Sequence, residues 1–133
     1  MLWLKTLHLA TLVCWCGALL CVVAALGRTG GHVDARETAA PQRTLFLLMA
    51  TPAALLAIAT GTGLFALVSG TPAWLAAKLF AVTVLAACHL LAGWALHREE
   101  HGEPLPSSPH LGLSAATASA MLGTLWLVLA KPV

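Results

Sequence analysis

The sequence predicts an all-α integral membrane protein, an antiparallel four-helix bundle forming a single domain over residues 1–133. Three observations carry this. Of 133 residues, 59% are hydrophobic and 9% charged, whereas a soluble domain carries about a quarter charged residues. Four apolar stretches, about 2–26, 44–69, 72–97 and 110–130, each reach the roughly 20 residues that a spanning helix needs. Only Gly70-Thr71 joins the second stretch to the third, so those two helices must be antiparallel neighbours, with their backbone groups satisfied inside helices as a bilayer requires. The formal net charge of +2, without any basic run to track phosphates, is too small to suggest nucleic acid as a partner.

The first stretch is longer than the apolar part of a signal peptide and is interrupted by Lys5 and His8, so it reads as a retained helix. The second contains Thr51-Pro52, where a kink is expected. Thr71-Pro72 and Ser108-Pro109 each offer an N-cap followed by proline at the first helical position, opening the third and fourth helices. The longer connections, Gly27–Arg43 and His97–His110, then share the side opposite the termini. Trp3, Trp74 and Trp126 fall near the terminal side and Trp94 near the other, as in an interfacial belt, while Trp15 lies deeper and reads as packing. Arg28, Arg36, Arg43 and Arg98 belong to the loop side and Lys5, Lys78 and Lys131 to the terminal side, a weak preference for cytoplasmic loops. Cys14, Cys16, Cys21 and Cys88 all lie within spans, where cysteine acts as a small hydrophobe.

Ionisable groups inside lipid-compatible segments are functional candidates by default. At 1.5 Å per residue, His8 lies about 9 Å from the terminal face, Lys78 about 6 Å and His89 about 22 Å. Gly61, Gly63 and Gly123 match the level of His8, and Ala53 and Thr117 that of His89. The two histidines, roughly 13 Å apart in depth, cannot clamp one iron from opposite faces. Lys5, His8, Trp15 and Leu19 share one face of the first helix. For His8 the readings are a hydrogen bond across helices or an axial haem ligand in a bundle interior. For Lys78 they are snorkelling, pairing with a porphyrin propionate, or proton transfer. For His89 they are a structural hydrogen bond, a second haem ligand, or a proton relay. His97-Arg98-Glu99-Glu100-His101 matches the metalloprotease spacing His-x-x-Glu-His, but Gly102 and Pro104 follow it, and it reads as a solvated charged loop. Copper needs clustered soft ligands, whereas Met1, Met49 and Met121 are scattered and Cys14 and Cys16 diverge on a helix.

Trp3-Leu4-Lys5-x-Leu7-His8, Trp15, Arg43 leading to Pro52-Ala53, Trp74-Leu75-x-x-Lys78-Leu79, His89 and Lys131-Pro132 span most of the chain. In these residues it resembles the HemJ-type protoporphyrinogen oxidases and the related CopD membrane domain. The resemblance implies a multi-pass inner-membrane protein that binds haem b and oxidises protoporphyrinogen IX to protoporphyrin IX. It implies His8 as ligand to the haem iron, His89 as a further ligand or the ligand of a second haem, and Lys78 and Arg43 as catalytic positions pairing with propionates. The implied partners are membrane lipid, a tetrapyrrole substrate and a quinone or respiratory-chain acceptor, the chain being a homo-oligomer or a subunit of a larger complex. Where the family carries Asn-Glu-x-Pro before the last helix, this chain reads Leu111-Gly112-Leu113-Ser114-Ala115. That departure supports the alternative of a non-catalytic haem-containing or accessory subunit of a respiratory complex, or a CopD-like copper-tolerance protein.

Overall fold

The computed structural model describes residues 2–26, 35–67, 72–103 and 107–130, without the side chains of 35–39, 107–110, 128 and 129. Nearly all of these residues are helical, and there is no strand among them. The elements are α1 (Leu2–Leu26), α2 (Ala35–Leu45), a π-helical turn (Phe46–Ala50), α3 (Thr51–Leu67), α4 (Pro72–Glu100) and α5 (Ser107–Leu129). Leu2–Leu26, Ala40–Leu67 and Pro72–Glu100 are long and apolar enough to cross a membrane. In α5 the apolar stretch is shorter, Leu111–Leu127.

Three boundaries differ from the sequence expectation. Helix begins at Ala35, inside the expected Gly27–Arg43 connection, because Ala35–Leu45 is a polar helix that docks on α4. The kink expected at Thr51-Pro52 takes the form of the π turn directly before it. Pro52 has no N–H to give, and its ring crowds the carbonyl four residues back. A wider turn relieves that crowding, and Thr51 N–H bonds the Phe46 carbonyl five residues back. Finally, α4 runs on to Glu100 with Glu99 buried, so the charged peptide is helix packed against α2 rather than a solvated loop. The Gly70-Thr71 link, the Thr71 cap and Lys131-Pro132 lie outside the described residues.

The hub is α1, which packs against α3, the π turn, α5 and α4. Its inward side chains Leu12, Trp15, Cys16, Leu19 and Val23 meet Ala53, Ala54 and Ala57 of α3 and Leu85, Cys88 and Ala92 of α4. Alanines on the facing helices allow close approach, which matters because acyl chains offer no hydrophobic drive between helices and packing must hold them. A second cluster joins Val22 and Leu26 to Ala95 and Leu96. Gly93 is needed at its position, since a Cβ there would lie 2.9 Å from Phe46 Cζ. Large apolar side chains including Leu48, Leu55, Leu90 and Leu122 face outward from α3, α4, α5 and the π turn, an exterior suited to acyl chains rather than water.

Leu19 is fully buried at the hub, so Leu19→Ala removes packing that nothing refills and should cost about 2–5 kcal/mol. Leu122→Ala on the outward face should stay within about 0.5 kcal/mol of wild type. Unfolding of the detergent-solubilised protein measures both.

Candidate functional site

His8, on α1, is buried with 6% exposure. Its Nδ1 lies 3.0 Å from Thr60 Oγ1 on α3. The Thr60 hydroxyl donates to the Leu56 carbonyl at 2.7 Å, so its oxygen accepts from His8 Nδ1–H. This network assigns the tautomer and leaves Nε2 with its lone pair. Nε2 is buried and has no hydrogen-bond partner among the described residues. Gly61 makes the contact with α3 close enough, as a Cβ there would sit 3.0 Å from His8 Cε1.

His8 borders a cavity of about 370 Å³ between α1, α3 and α4, within the usual size range of small-molecule sites. Leu12, Ile58, Phe65 and Val82 contribute apolar wall, and beside His8 its polar members are Lys5, Thr62, Trp74, Lys78 and, from α5, Thr124. Lys78 Nζ stands 5.1 Å from the Trp74 ring centroid, a cation–π contact between residues one helical turn apart. Trp74 therefore turns inward and is half-buried, instead of joining the outward belt with Trp3 and Trp126. Its Nε1 is buried and has no partner among the described residues.

These residues fit an iron porphyrin. A metal-binding imidazole characteristically donates one ring N–H to a fixed oxygen and keeps a lone pair on the other nitrogen, the arrangement Thr60 imposes on His8. Apolar walls suit the macrocycle, and two ammonium groups suit propionates.

His89, on α4, is built the other way. Trp15 Nε1–H donates to its Nδ1 at 3.2 Å. Its Nε2 makes a long contact, 3.4 Å, with Thr51 Oγ1, whose own proton goes to the Phe46 carbonyl at 2.9 Å. Phe46 stacks on the imidazole at 4.5 Å and Trp15 meets it edge-on. Both ring nitrogens are engaged, the proton sits on Nε2, and His89 does not line the cavity. The cluster leaves no nitrogen for iron, so the expected second ligand becomes an internal brace.

Arg43 is separated from the cavity as well. Its Nη1 pairs with Glu100 Oε1 at 3.4 Å, with the Arg43 side chain 59% exposed. Glu100 lies about 33 Å along α4 from Lys78 at 1.5 Å per residue. Arg43 and Lys78 cannot grip one porphyrin, which corrects the expectation that paired them. The rings of His97 and His101 are 4.3 Å apart, yet among the described residues no group of three or more His, Cys, Asp or Glu could hold a metal ion.

The structure brings in residues that the sequence does not mark as functional. Thr60 is adjacent to Gly61, which the depth count places level with His8. Thr51 stands out in the sequence only as the residue before Pro52, and Trp15 only as packing. For Phe46 no signal exists, because its ring reaches His89 through the π turn. No family model, curated protein or solved structure matches the chain.

Trp15→Phe deletes the donor to His89 Nδ1 and, at a fully buried position, also removes the second ring of the indole and leaves a cavity. Hydrogen bonds between helices in membranes average about 0.6 and reach about 1.7 kcal/mol, so with the cavity added this variant should lose more than that in the same unfolding assay.

Proposed function

We propose that the chain is a multi-pass inner-membrane protein, an antiparallel bundle of four membrane helices, that binds haem b through His8 Nε2. On this reading it is a redox protein resembling the HemJ-type oxidases that convert protoporphyrinogen IX to protoporphyrin IX. The observation that carries the reading is the buried, unpartnered Nε2 of His8, its lone pair set by Thr60, beside an apolar cavity flanked by Lys5 and Lys78. Because a porphyrin brings its own nitrogens to the iron, a single protein imidazole would suffice to hold a haem, and no cluster of protein donors would be required. When bound, the haem supplies the one-electron chemistry, with electrons leaving to a quinone or respiratory partner.

The protein residues have distinct tasks. His8 would supply the ligand nitrogen to the haem iron, Thr60 orients His8, and Gly61 lets α3 come near enough to do so. Lys5 and Lys78 offer positive charge to the propionates, and the aliphatic and aromatic walls exclude water. His89 with Trp15, Thr51 and Phe46 fixes the bundle beyond the cavity. Arg43 ties α2 to α4 at the far end. A second reading, a non-catalytic haem-containing subunit of a respiratory assembly, draws on the missing Asn-Glu-x-Pro segment before α5.

Protein purified from haem-replete cells should show a haem b absorption band that His8→Ala abolishes and His89→Gln retains. Thr60→Val should lower haem affinity by about 10–100-fold, the usual effect of losing the group that orients a ligating histidine, and Thr60→Ser should restore it. A colourless wild-type preparation overturns the haem reading. Complementation of a strain lacking protoporphyrinogen oxidase separates the enzyme, which supports growth without added haem, from the subunit, which inserts normally and does not.

A further inference from the structure

We propose that Trp74, through its indole N–H and beside the Lys78 ammonium, recognises a carboxylate on the ligand of this cavity. The ligand class is then an apolar molecule with an anionic end, and Trp74 is a specificity-determining residue. The inference rests on the His8 cavity being the ligand site.

The first support is the orphaned donor. A buried indole N–H usually finds a partner, and Trp74 Nε1 has none among the described residues, while the Trp74 side chain forms part of the cavity lining. An indole nitrogen is a donor only, so the missing partner must be an acceptor. His8 Nε2 is also orphaned, but as an acceptor, so the two unpartnered atoms ask for opposite things of a ligand. His8 calls for an electrophilic centre and Trp74 for an oxygen.

The second support is charge. Lys78 lies over the Trp74 ring, 5.1 Å from its centroid, which puts a cation against the indole, and Lys5 borders the same cavity. Trp74 sits in the first turn of α4, where free backbone N–H groups add partial positive charge. A carboxylate entering an apolar cavity needs charge-assisted hydrogen bonds to replace water, and this end provides an N–H and two ammonium groups. A ligand without an acceptor at this end would leave the indole N–H buried and unsatisfied.

The test uses the full chain in detergent with two probes, metal-free protoporphyrin IX and its dimethyl ester, and reads affinity from the fluorescence anisotropy of the porphyrin. Wild type should prefer the free acid by on the order of 100-fold, as two charge-assisted contacts at about tenfold each imply. Trp74→Phe keeps an aromatic face for Lys78 but replaces the indole with a smaller ring that has no N–H; the shape change acts on acid and ester alike, so their affinity ratio isolates the N–H and should fall about tenfold. Lys78→Met should lower the preference by a similar factor through the charge. Equal affinity for acid and ester in wild type overturns the proposal, as does a Trp74→Phe variant in which both affinities fall together or the ratio is unmoved. Neither probe contains iron, so the two readings fail separately. A His8-dependent haem band without acid preference sinks only the role of Trp74. Acid preference that depends on Trp74, in a protein that never takes up haem, sinks only the haem.

Discussion

A polar ring nitrogen inside a bundle jacketed by apolar side chains has no water to turn to, and this constraint organises the molecule. Both intramembrane histidines meet it with a threonine on the neighbouring helix. In each case the hydroxyl first commits its proton to a carbonyl of its own chain segment, Leu56 for Thr60 and Phe46 for Thr51. The hydroxyl oxygen then acts toward histidine as an acceptor, which decides where the imidazole proton resides. Thr60 meets Nδ1 of His8, and Thr51 meets Nε2 of His89. The same chemical device thus produces opposite tautomers.

The remaining nitrogen separates the two histidines in role. At His89 it accepts the Trp15 indole N–H while Phe46 covers the ring face, and the cluster is closed. At His8 nothing among the described residues completes the set. Helix packing enforces the difference. Alanines bring α3 and α4 onto Trp15 and Leu19, whereas at the level of His8 the helices stand apart around a partly open cavity. One histidine is closed into the packing, and the other keeps a ring nitrogen unpartnered among the described residues.

Charge is divided along the same axis. Glu99, Glu100 and Glu103 lie at the C-terminal end of α4, with Arg43 and Arg98 paired to Glu100 and Glu103. Such exposed pairs contribute about 0–1 kcal/mol each, and the first of them serves mainly to register α2 on α4. The opposite end of α4 carries Trp74 and Lys78 on the cavity wall. A ligand that is apolar through its body and anionic at its rim matches that gradient, which is why the haem reading and the carboxylate role of Trp74 belong to one account.

The sequence by itself determined the composition of the interior and the approximate depth of its polar groups. Helix length and the near-absence of charge fixed the helical class, and the constant rise of a helix put His8 level with Gly61 and His89 close to Ala53 without knowledge of any contact. Tertiary structure alone decided what each polar group faces. A sequence orders residues along one helix, but a hydrogen bond between helices depends on their mutual rotation and spacing. Thr60, Thr51 and Phe46 were therefore invisible as partners, and Trp74 could be read as part of a belt. The π turn before Pro52 shows the reason most plainly. It re-aims the Phe46 ring onto His89 and its carbonyl onto Thr51, an outcome set by where two helices touch.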